Sequence, residues 1–425
     1  MISFITNFEK KIVCMKLHIV GGFLGSGKTT AIYQAAKLLI SKGGKVGVIT
    51  NEQVTYPEIT GLVNANYSPS EEVINGCFSS NLDNLSDKIV SLNQDAHPDY
   101  IFAESVGSCT DLVKTVLKPL MIFNNDIFES LTLSIIVDAR MLLSYLKDEQ
   151  LLFGDDVTYI FEKQIEEADL LVLNKIDLLA DEDFPVLKSL INKFLPDKII
   201  ITQSSFNPQN IENWMDTLDS LPSEKRKPVE IEYQSYARGE AFLTWLDEEV
   251  TFSTSENEAG EAAVGFIKIL TTEIKQKQIP IGHLKCLLVN GEQIQKISIT
   301  AFDDEDWQRD LAPVSSNLVK LFIIARLETT TDLLQGIIQS SIISVSNNGV
   351  KVTTHSSLAR PSGSSKPAHH NLEAFHCCEE CTCLKNIIAR NTIRRQEGSA
   401  TALAELEDEQ FECLGVCSEG NGCCC

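Results

Sequence analysis

A short apolar run, a glycine-rich turn and a helical pattern follow one another over residues 16–40, and the turn carries residue types that bind phosphate. Residues 22–29 read G-x-x-x-x-G-K-T, the spacing of a P-loop. Gly22, Gly25 and Gly27 let the backbone curl so that successive N–H groups face one anion at the start of the helix. Lys28 is then placed to reach the β- and γ-phosphates of a nucleotide, and the Thr29 hydroxyl to ligate Mg²⁺.

A second polar group, N-K-x-D, follows an apolar run that predicts a strand over residues 169–175. The Asp177 carboxylate can accept from the N1–H and the exocyclic amine of guanine, whereas adenine offers no such pair of donors. Asn174 and Lys175 would hold the loops and the base. Ser204 and Ser205 end the next strand, where their backbone N–H groups can touch the guanine oxygen. The pattern favours GTP over ATP, with a capping role for Asp177 and a simple turn at the serines as alternatives.

Glu104 and Gly107 follow a third predicted strand, over residues 99–105. The Gly107 N–H can bond the terminal phosphate, and the Glu104 side chain can hold Mg²⁺ through water or orient the attacking water. Helix capping by Glu104 is the alternative. The residues expected to act in catalysis are therefore Lys28, Glu104 and Gly107. Intrinsic hydrolysis should be slow without a partner, because these loops contain no arginine.

These groups lie at the ends of apolar strand patterns that alternate with helical patterns across residues 15–222. Short apolar strands separated by helices indicate a parallel sheet covered on both faces. Ligands of such sheets bind at the carboxyl ends of the strands, where all three groups fall. The sequence thus predicts an α/β fold of the P-loop NTPase type with a mostly parallel sheet.

The segments GGFLGSGKTT, TNE, NGC, AESVG, VDA, QIEEAD and LNKIDL occur in an order and at spacings that resemble the CobW-like GTPases. These are SIMIBI-class P-loop GTPases, implicated in GTP-dependent delivery of zinc, cobalt or iron to client proteins. The resemblance implies Mg²⁺ at Thr29, a switch at Asn51 and Glu52, and a second switch from Glu104 to Gly107. It also implies phosphate binding by Gly25, Ser26, Gly27, Lys28, Thr29 and Thr30, and guanine selection by Asn174, Lys175 and Asp177.

One departure concerns the C-x-C-C pattern that the family usually carries, because this chain has Cys77-Phe78-Ser79-Ser80 there. Three thiolates with a carboxylate such as Glu52 would form a tetrahedral Zn²⁺ site. Only Cys77 remains here, and a serine hydroxyl is a poor ligand for such an ion. We expect this switch-linked site to be weakened or lost. Cys77 then has the alternative role of a small buried apolar residue.

Strand and helix patterns continue over residues 228–345 and predict a smaller α+β domain. Strands are expected at residues 229–236, 241–252, 283–289, 296–302 and 317–327, with helices near residues 256–274 and 330–341. No catalytic constellation stands out in this domain. His283 and Cys286 fall in a predicted strand, where core packing is the favoured interpretation. By resemblance, this domain would recognise the client.

Composition changes after residue 345, and residues 346–425 are predicted to form a flexible, disordered His- and Cys-rich tail. Cys378 and Cys381 have the C-x-x-C spacing that lets two thiolates meet one ion. The candidate metal ligands in the tail are His376, Cys377, Cys378, Cys381 and Cys383. Zn²⁺ or Co²⁺ binding there is the hypothesis, and adventitious metal uptake by a disordered tail is the alternative.

The formal net charge of −23 argues against a nucleic-acid partner, because such a surface repels a polyanion. No apolar stretch is long enough to predict a membrane helix. Residues 1–14 lack the pattern of a signal peptide and are treated as an N-terminal extension. A cytoplasmic location is therefore expected, where thirteen cysteines are free thiols or metal ligands rather than disulfides.

The sequence favours a GTP-hydrolysing protein that acts in metal trafficking, with Mg²⁺ and GTP bound and a client metalloprotein or enzyme as partner. One alternative is a regulatory or assembly GTPase that moves a protein partner without metal cargo. Another is a metal buffer whose tail is the functional part. A homodimer is an open alternative to a monomer.

Overall fold

The computed structural model describes residues 15–51, 70–73, 77–123, 127–149, 152–221, 228–291, 293–301, 305–308, 311–346, 350–357 and 360–361. Several residues named above lie outside these ranges: residues 1–14, Glu52, His376, Cys377, Cys378, Cys381 and Cys383. The metal-binding predictions for Glu52 and for the tail therefore stay predictions.

Seven strands form the first sheet, and its central strands are short apolar runs of the kind that a doubly covered sheet requires. They are β1 (Met15–Gly21), β2 (Val46–Thr50), β3 (Ser70–Glu72), β4 (Tyr100–Glu104), β5 (Phe128–Asp138), β6 (Leu170–Asn174) and β7 (Ile200–Thr202). Their order is β3-β2-β4-β1-β5-β6-β7, and all neighbours pair in parallel. The predicted α/β fold with a parallel sheet is confirmed.

Helices cover both faces of this sheet. They are α1 (Lys28–Ser41), α2 (Leu82–Ala96), α3 (Lys118–Phe123), α4 (Ala139–Leu146), α5 (Asp155–Glu167), α6 (Asp183–Phe194) and α7 (Pro208–Ser220), with a π-helical turn at Val113–Leu117 leading into α3. Alternate residues of each strand supply the two cores. Leu17 and Ile19 pack beneath α2 and α5, whereas Val20 packs with α1 and with Trp214 of α7.

The second sheet is antiparallel and follows α8 (Tyr233–Phe242). Its strands are β8 (Leu243–Ser253), β9 (Ile281–Asn290), β10 (Gln293–Ile299), β11 (Leu318–Glu328), β12 (Lys351–Ser357) and β13 (Arg360–Pro361). The order is β10-β9-β11-β8-β12, with β13 also paired to β8. Two helices, α9 (Ala259–Gln276) and α10 (Thr331–Ser346), cover one face and close an apolar core around Phe252 and Phe266. The predicted α+β arrangement is observed.

Two details differ from the sequence predictions. The strand expected at residues 229–236 is wrong, because α8 begins at Tyr233 and Glu232 caps it by accepting from the N–H groups of Gln234 and Ser235. The second sheet also extends past residue 345 into the predicted tail, since β12 pairs with β8 and forms one edge of the sheet. Among the described helices none has the length and apolar composition for crossing a membrane.

Candidate functional site

The P-loop runs from the end of β1 into α1, and glycine is required at its first position. Gly22 has a φ of +127°, and a Cβ there would lie 2.0 Å from the carbonyl oxygen of Ile136. Gly27 has a φ of +96°, and a Cβ there would lie 2.4 Å from Nδ2 of Asn174. The backbone of Ile136 and the buried amide of Asn174 thus pack directly against the loop. A side chain at Gly22 or Gly27 would clash with them and distort the loop.

Lys28 and Thr29 occupy the first turn of α1, where unpaired helix N–H groups favour an anion. The Lys28 ammonium donates to the carbonyl oxygens of Gly22 over 2.8 Å and Phe23 over 3.2 Å. The Thr29 hydroxyl donates to Oε1 of Glu104 over 2.8 Å. Glu104 is buried at the last position of β4, opposite Val20 of β1. The predicted magnesium and catalytic residues are therefore adjacent.

Side chains of α5 hold the segment from Glu104 to Gly107 and the residues that follow it. Nε2 of the buried Gln164 donates to the carbonyl oxygens of Gly107 over 3.0 Å and Cys109 over 2.8 Å. Glu167, also buried on α5, accepts from the N–H of Leu112 over 2.7 Å. Sequence reasoning assigned no role to Gln164 or Glu167, although both lie in the QIEEAD segment that carries the family resemblance. They shape the segment that would sense a terminal phosphate.

Asn174 connects the predicted guanine-binding segment to the P-loop. Its Nδ2 donates to the carbonyl oxygen of Ser26 over 2.8 Å, and its Oδ1 accepts from the Ser205 hydroxyl over 2.9 Å. Nζ of Lys175 lies 3.0 Å from Oδ2 of Asp138, which ends the neighbouring strand β5. Asp177 is exposed in a short 3₁₀ turn. Asn174 thus holds neighbouring loops together, and guanine selection by Asn174, Lys175 and Asp177 stays a prediction.

Ser204 behaves differently from the expectation. Its backbone N–H donates to Oδ1 of Asn210 over 2.9 Å, so this N–H is bonded within its own loop. A contact from the Ser204 N–H to a guanine oxygen stays a prediction. Phe206, two residues further on, is 77% exposed and lines the cavity described next, a position from which an aromatic ring can stack on a base.

A cavity of about 420 Å³ opens above the P-loop. One wall consists of Gly25, Gly27, Lys28, Thr29, Thr30, Asn51, Glu104 and Gly107. The opposite wall comes from the second sheet and includes Trp245, Asp247, His283, Lys285, Lys296 and Arg326. The site is therefore built by both sheets, which the sequence did not indicate.

His283 corrects a prediction and Cys286 confirms one. Cys286 is fully buried in the core of the second domain. His283 lies three positions earlier on β9, so its side chain faces away from that core and lines the cavity. Burial lowers the pKa of His283 well below its usual value, and the cations of Lys285 and Arg326 lower the pKa further. A neutral imidazole therefore faces the P-loop.

Cys77 is buried and bonded to the serines that replace the family's thiols. Its sulfur lies 2.7 Å from the Ser79 hydroxyl and 3.5 Å from the Ser80 hydroxyl. The Ser79 hydroxyl also lies 3.6 Å from the sulfur of Cys109. Across the described part of the chain, no three His, Cys, Asp or Glu side chains come together as a metal site. The loss of a switch-linked thiolate site and the role of Glu52 both stay predictions.

Comparison with known proteins finds a family model that matches the first domain. Residues 16–202 match the family model described as "CobW/HypB/UreG, nucleotide-binding domain". Among solved structures, HypB from Helicobacter pylori in complex with nickel is 16% identical, with a TM-score of 0.35 over 50% of this chain and 92% of that one. Zn(II)-bound YjiA GTPase from E. coli is 13% identical, with a TM-score of 0.32 over 77% of this chain and 98% of that one.

These structural similarities are too low to transfer a ligand, so the assignment rests on the family model and on the residues of the site. The matched range contains the P-loop, the segment from Glu104 to Gly107 and the N-K-x-D segment. Residues 16–202 therefore match the nucleotide-binding domain of the CobW/HypB/UreG family.

Proposed function

We propose that this protein binds and hydrolyses GTP and uses that cycle in metal trafficking or metal insertion into a client protein. The observation that carries the nucleotide part is the bridge made by Asn174, which bonds both the Ser26 carbonyl of the P-loop and the hydroxyl of Ser205. This bridge fixes the distance between a phosphate-binding loop and a base-selecting segment. A nucleotide whose length matches this distance can then contact both the loop and the segment.

The phosphates would be bound by exchange of existing hydrogen bonds. Lys28 gives up the carbonyl oxygens of Gly22 and Phe23 for phosphate oxygens, which as anions make stronger charge-assisted bonds. The Gly107 N–H then donates to the terminal phosphate, and the Glu104 carboxylate orients the attacking water. Proton transfer from that water would go to the phosphate or to Glu104.

The residues at this point fit Mg²⁺. The Thr29 hydroxyl and the Glu104 carboxylate lie 2.8 Å apart beside the cavity, and hydroxyl, carboxylate and phosphate oxygens are the ligands Mg²⁺ prefers. Thr29 would hold the ion directly and Glu104 through water. When bound, Mg²⁺ neutralises charge on the β- and γ-phosphates.

Base selection gives the sharpest test of the nucleotide assignment. In Asp177→Asn the carboxylate that accepts from two guanine donors becomes an amide, which suits xanthine, where a carbonyl replaces the exocyclic amine. We expect GTP affinity to fall about 100-fold or more and xanthosine triphosphate to become the preferred ligand. Equilibrium binding of fluorescent nucleotides measures this, with Asp181→Asn, also exposed in the loop before α6, as the matched control. Unchanged GTP affinity in Asp177→Asn would contradict the assignment of Asp177 to guanine binding.

The metal part of the proposal is supported by the family of the nucleotide-binding domain and by the His and Cys residues of the tail. The C-x-x-C spacing of Cys378 and Cys381 suits a tetrahedral thiolate site. A client metalloprotein, a cytoplasmic location and a homodimer are parts of the same proposal. We place the proposed metal site at the tail or at Glu52.

A regulatory or assembly GTPase without metal cargo is the second candidate, and the bond from Cys77 to Ser79 favours it. Single-turnover GTP hydrolysis by the full chain at buffered Zn²⁺ or Co²⁺ separates the two. A rate that responds to metal and loses the response in Cys378→Ser/Cys381→Ser supports metal trafficking. A rate that ignores metal, together with no metal retained by the full chain, supports the assembly role. Metal retained by the tail without any effect on the rate supports a metal buffer.

A further inference from the structure

The second sheet presents two chemically different faces. Leu284, Cys286, Ile297 and Ala325 lie on one face and pack under α9 and α10. The residues between them point the other way, because successive side chains of a strand alternate. On that other face, Lys285, Lys296 and Arg326 line the cavity, and we call them the cationic wall.

Strand pairing brings the members of the cationic wall together. Arg326 of β11 pairs with His283 of β9, and Ile324 pairs with Lys285. Ser298 of β10 also pairs with Lys285, and Lys296 lies two residues before it on the same face. Lys285 and Arg326, 41 positions apart in the sequence, thus line one side of a single cavity.

The cationic wall lies against the P-loop rather than elsewhere on the first domain. A Cβ on Gly25 would lie 2.7 Å from the carbonyl oxygen of Gly282, and a Cβ on Gly282 would lie 2.5 Å from the Leu24 side chain. The backbone of β9 therefore touches the loop directly. His283 and Lys285, which follow Gly282, enter the cavity where Thr29, Glu104 and Gly107 form the facing wall.

The electrostatic character of this region is opposite to that of the whole chain. The chain has a formal net charge of −23, yet four cations act together on His283: Lys285, Arg326, Lys28 and Lys296. Among the described residues of the cavity lining, the acidic ones are Glu104 and Asp247, and Asp247 accepts from Arg326 over 3.3 Å. Nε2 of His283 is buried and has no hydrogen-bond partner within the described ranges. Such a cavity suits a polyanion.

Arg326 has a different role from the two lysines. Its guanidinium also donates to the Ala325 carbonyl over 2.8 Å and lies 4.2 Å over the Trp245 ring, so it is held within the sheet. Arg326 therefore holds the wall in position and adds positive electrostatic potential to the cavity. Lys285 and Lys296 are less buried and end in ammonium groups, which bind phosphate oxygens as point charges.

We propose that Lys285 and Lys296 bind the terminal phosphate of the nucleotide held by the P-loop, so that the second domain completes the nucleotide site in cis. This inference rests on the proposed nucleotide function and deepens it. The terminal phosphate is the one concerned because the wall faces Thr29, Glu104 and Gly107, the residues at that end of the site. Through this contact the second domain distinguishes the triphosphate from the diphosphate.

The test compares binding of fluorescent GDP and of a non-hydrolysable GTP analogue to the full chain and to Lys285→Met/Lys296→Met, in which the aliphatic stems stay and the charges go. Lys320→Met is the matched control, because Lys320 lies on the same sheet and pairs with Glu249 outside the cavity. We expect affinity for the GTP analogue to fall about 10- to 100-fold and affinity for GDP to change about threefold or less. Lys320→Met should bind both as the unaltered protein does.

Equal losses for the two nucleotides, no loss, or the same loss in Lys320→Met would each overturn the inference. If the unaltered protein binds neither nucleotide, the proposed function fails and the inference with it. Circular dichroism checks folding, and the single variants Lys285→Met and Lys296→Met serve if the double variant unfolds. Hydrogen exchange of the unaltered protein is a second measurement. The GTP analogue should protect the amides of β9 and β10 more than GDP does, and equal protection would contradict the proposal.

Discussion

Nδ2 of Asn174 donates to the carbonyl oxygen of Ser26 over 2.8 Å and thereby joins the end of β6 to the P-loop. The same side chain is 1% exposed and accepts from the Ser205 hydroxyl. One amide thus holds three loops in register: the P-loop, the N-K-x-D segment and the segment after β7. The nucleotide site depends on this buried group although it need not touch the phosphates.

Asn174→Ala should reduce both stability and nucleotide affinity. Removing the amide leaves the Ser26 carbonyl and the Ser205 hydroxyl without these partners, a cost of about 1–3 kcal/mol in the free energy of unfolding. We expect GTP affinity to fall about 10-fold, because the P-loop and the base segment lose their connection. Urea unfolding and nucleotide titration measure the two effects. Asn213→Ala, exposed on α7, is the control, and an equal loss there would count against the connecting role.

Glu104→Gln should slow hydrolysis more than it weakens binding. The glutamine oxygen can still accept from Thr29, but the negative charge that orients water and favours Mg²⁺ is gone. We expect kcat for GTP to fall about 100-fold or more. Affinity for the GTP analogue should fall with Mg²⁺ and stay unchanged in EDTA. Glu129→Gln on β5, exposed away from the cavity, should leave kcat as it was. A normal kcat in Glu104→Gln would end its catalytic assignment.

Gly22→Ala should destabilise the first domain. The new Cβ would lie 2.0 Å from the Ile136 carbonyl oxygen, in a backbone conformation with φ of +127°. Strain and displacement of β5 should together lower the free energy of unfolding by about 2–5 kcal/mol. Gly265→Ala on α9 is the control, since no atom lies within 4 Å of its new Cβ. A helical glycine replaced by alanine should gain about 0.5–1 kcal/mol. Thermal unfolding of both variants gives the comparison, and a midpoint unchanged in Gly22→Ala would refute the steric argument.

Stability should fall as the pH rises from 6 to 8. Burial raises the pKa of Glu240 to about 8, and the nearby thiol of Cys77 contributes. Burial likewise raises the pKa of Glu167 to about 8. Both carboxyls bind a proton more tightly in the folded protein than in the unfolded chain. Their stabilisation is therefore complete below about pH 4.5 and is lost as the pH rises toward 8 and through it.

Each raised group contributes a slope of about 1.4 kcal/mol per pH unit between its unfolded and folded pKa values. Urea unfolding at pH 6, 7 and 8 gives the slope of the free energy of unfolding against pH. In Glu240→Gln this slope should be smaller by about the contribution of one group. Glu261→Gln, exposed in the first turn of α9, should keep the slope of the unaltered protein. A slope that Glu240→Gln leaves intact would mean that Glu240 stays ionised when buried.

The first sheet and its nucleotide residues could be predicted from sequence because their signals are local. The P-loop, the Glu104–Gly107 segment and N-K-x-D each follow an apolar strand pattern, and parallel strands bring their carboxyl ends to one edge. Local patterning failed at residues 229–236, where β-branched and aromatic residues suggested a strand. There the Glu232 cap and the packing of α8 on α5 decide for a helix.

The sequence by itself determined the α/β fold of the first domain and the family that its motifs resemble, and it predicts which residues meet phosphate and which meet the base. Only the tertiary structure decided what lies opposite them. His283 looked like a core residue because neighbouring even-numbered positions of β9 are core residues, and a period-2 pattern does not say what covers the other face. The contact between Gly25 and Gly282 turns that face toward the P-loop, and strand pairing then gathers Lys285, Lys296 and Arg326 above the cavity. Contacts between residues so far apart in the chain come from the packing of two sheets, which no local spacing encodes.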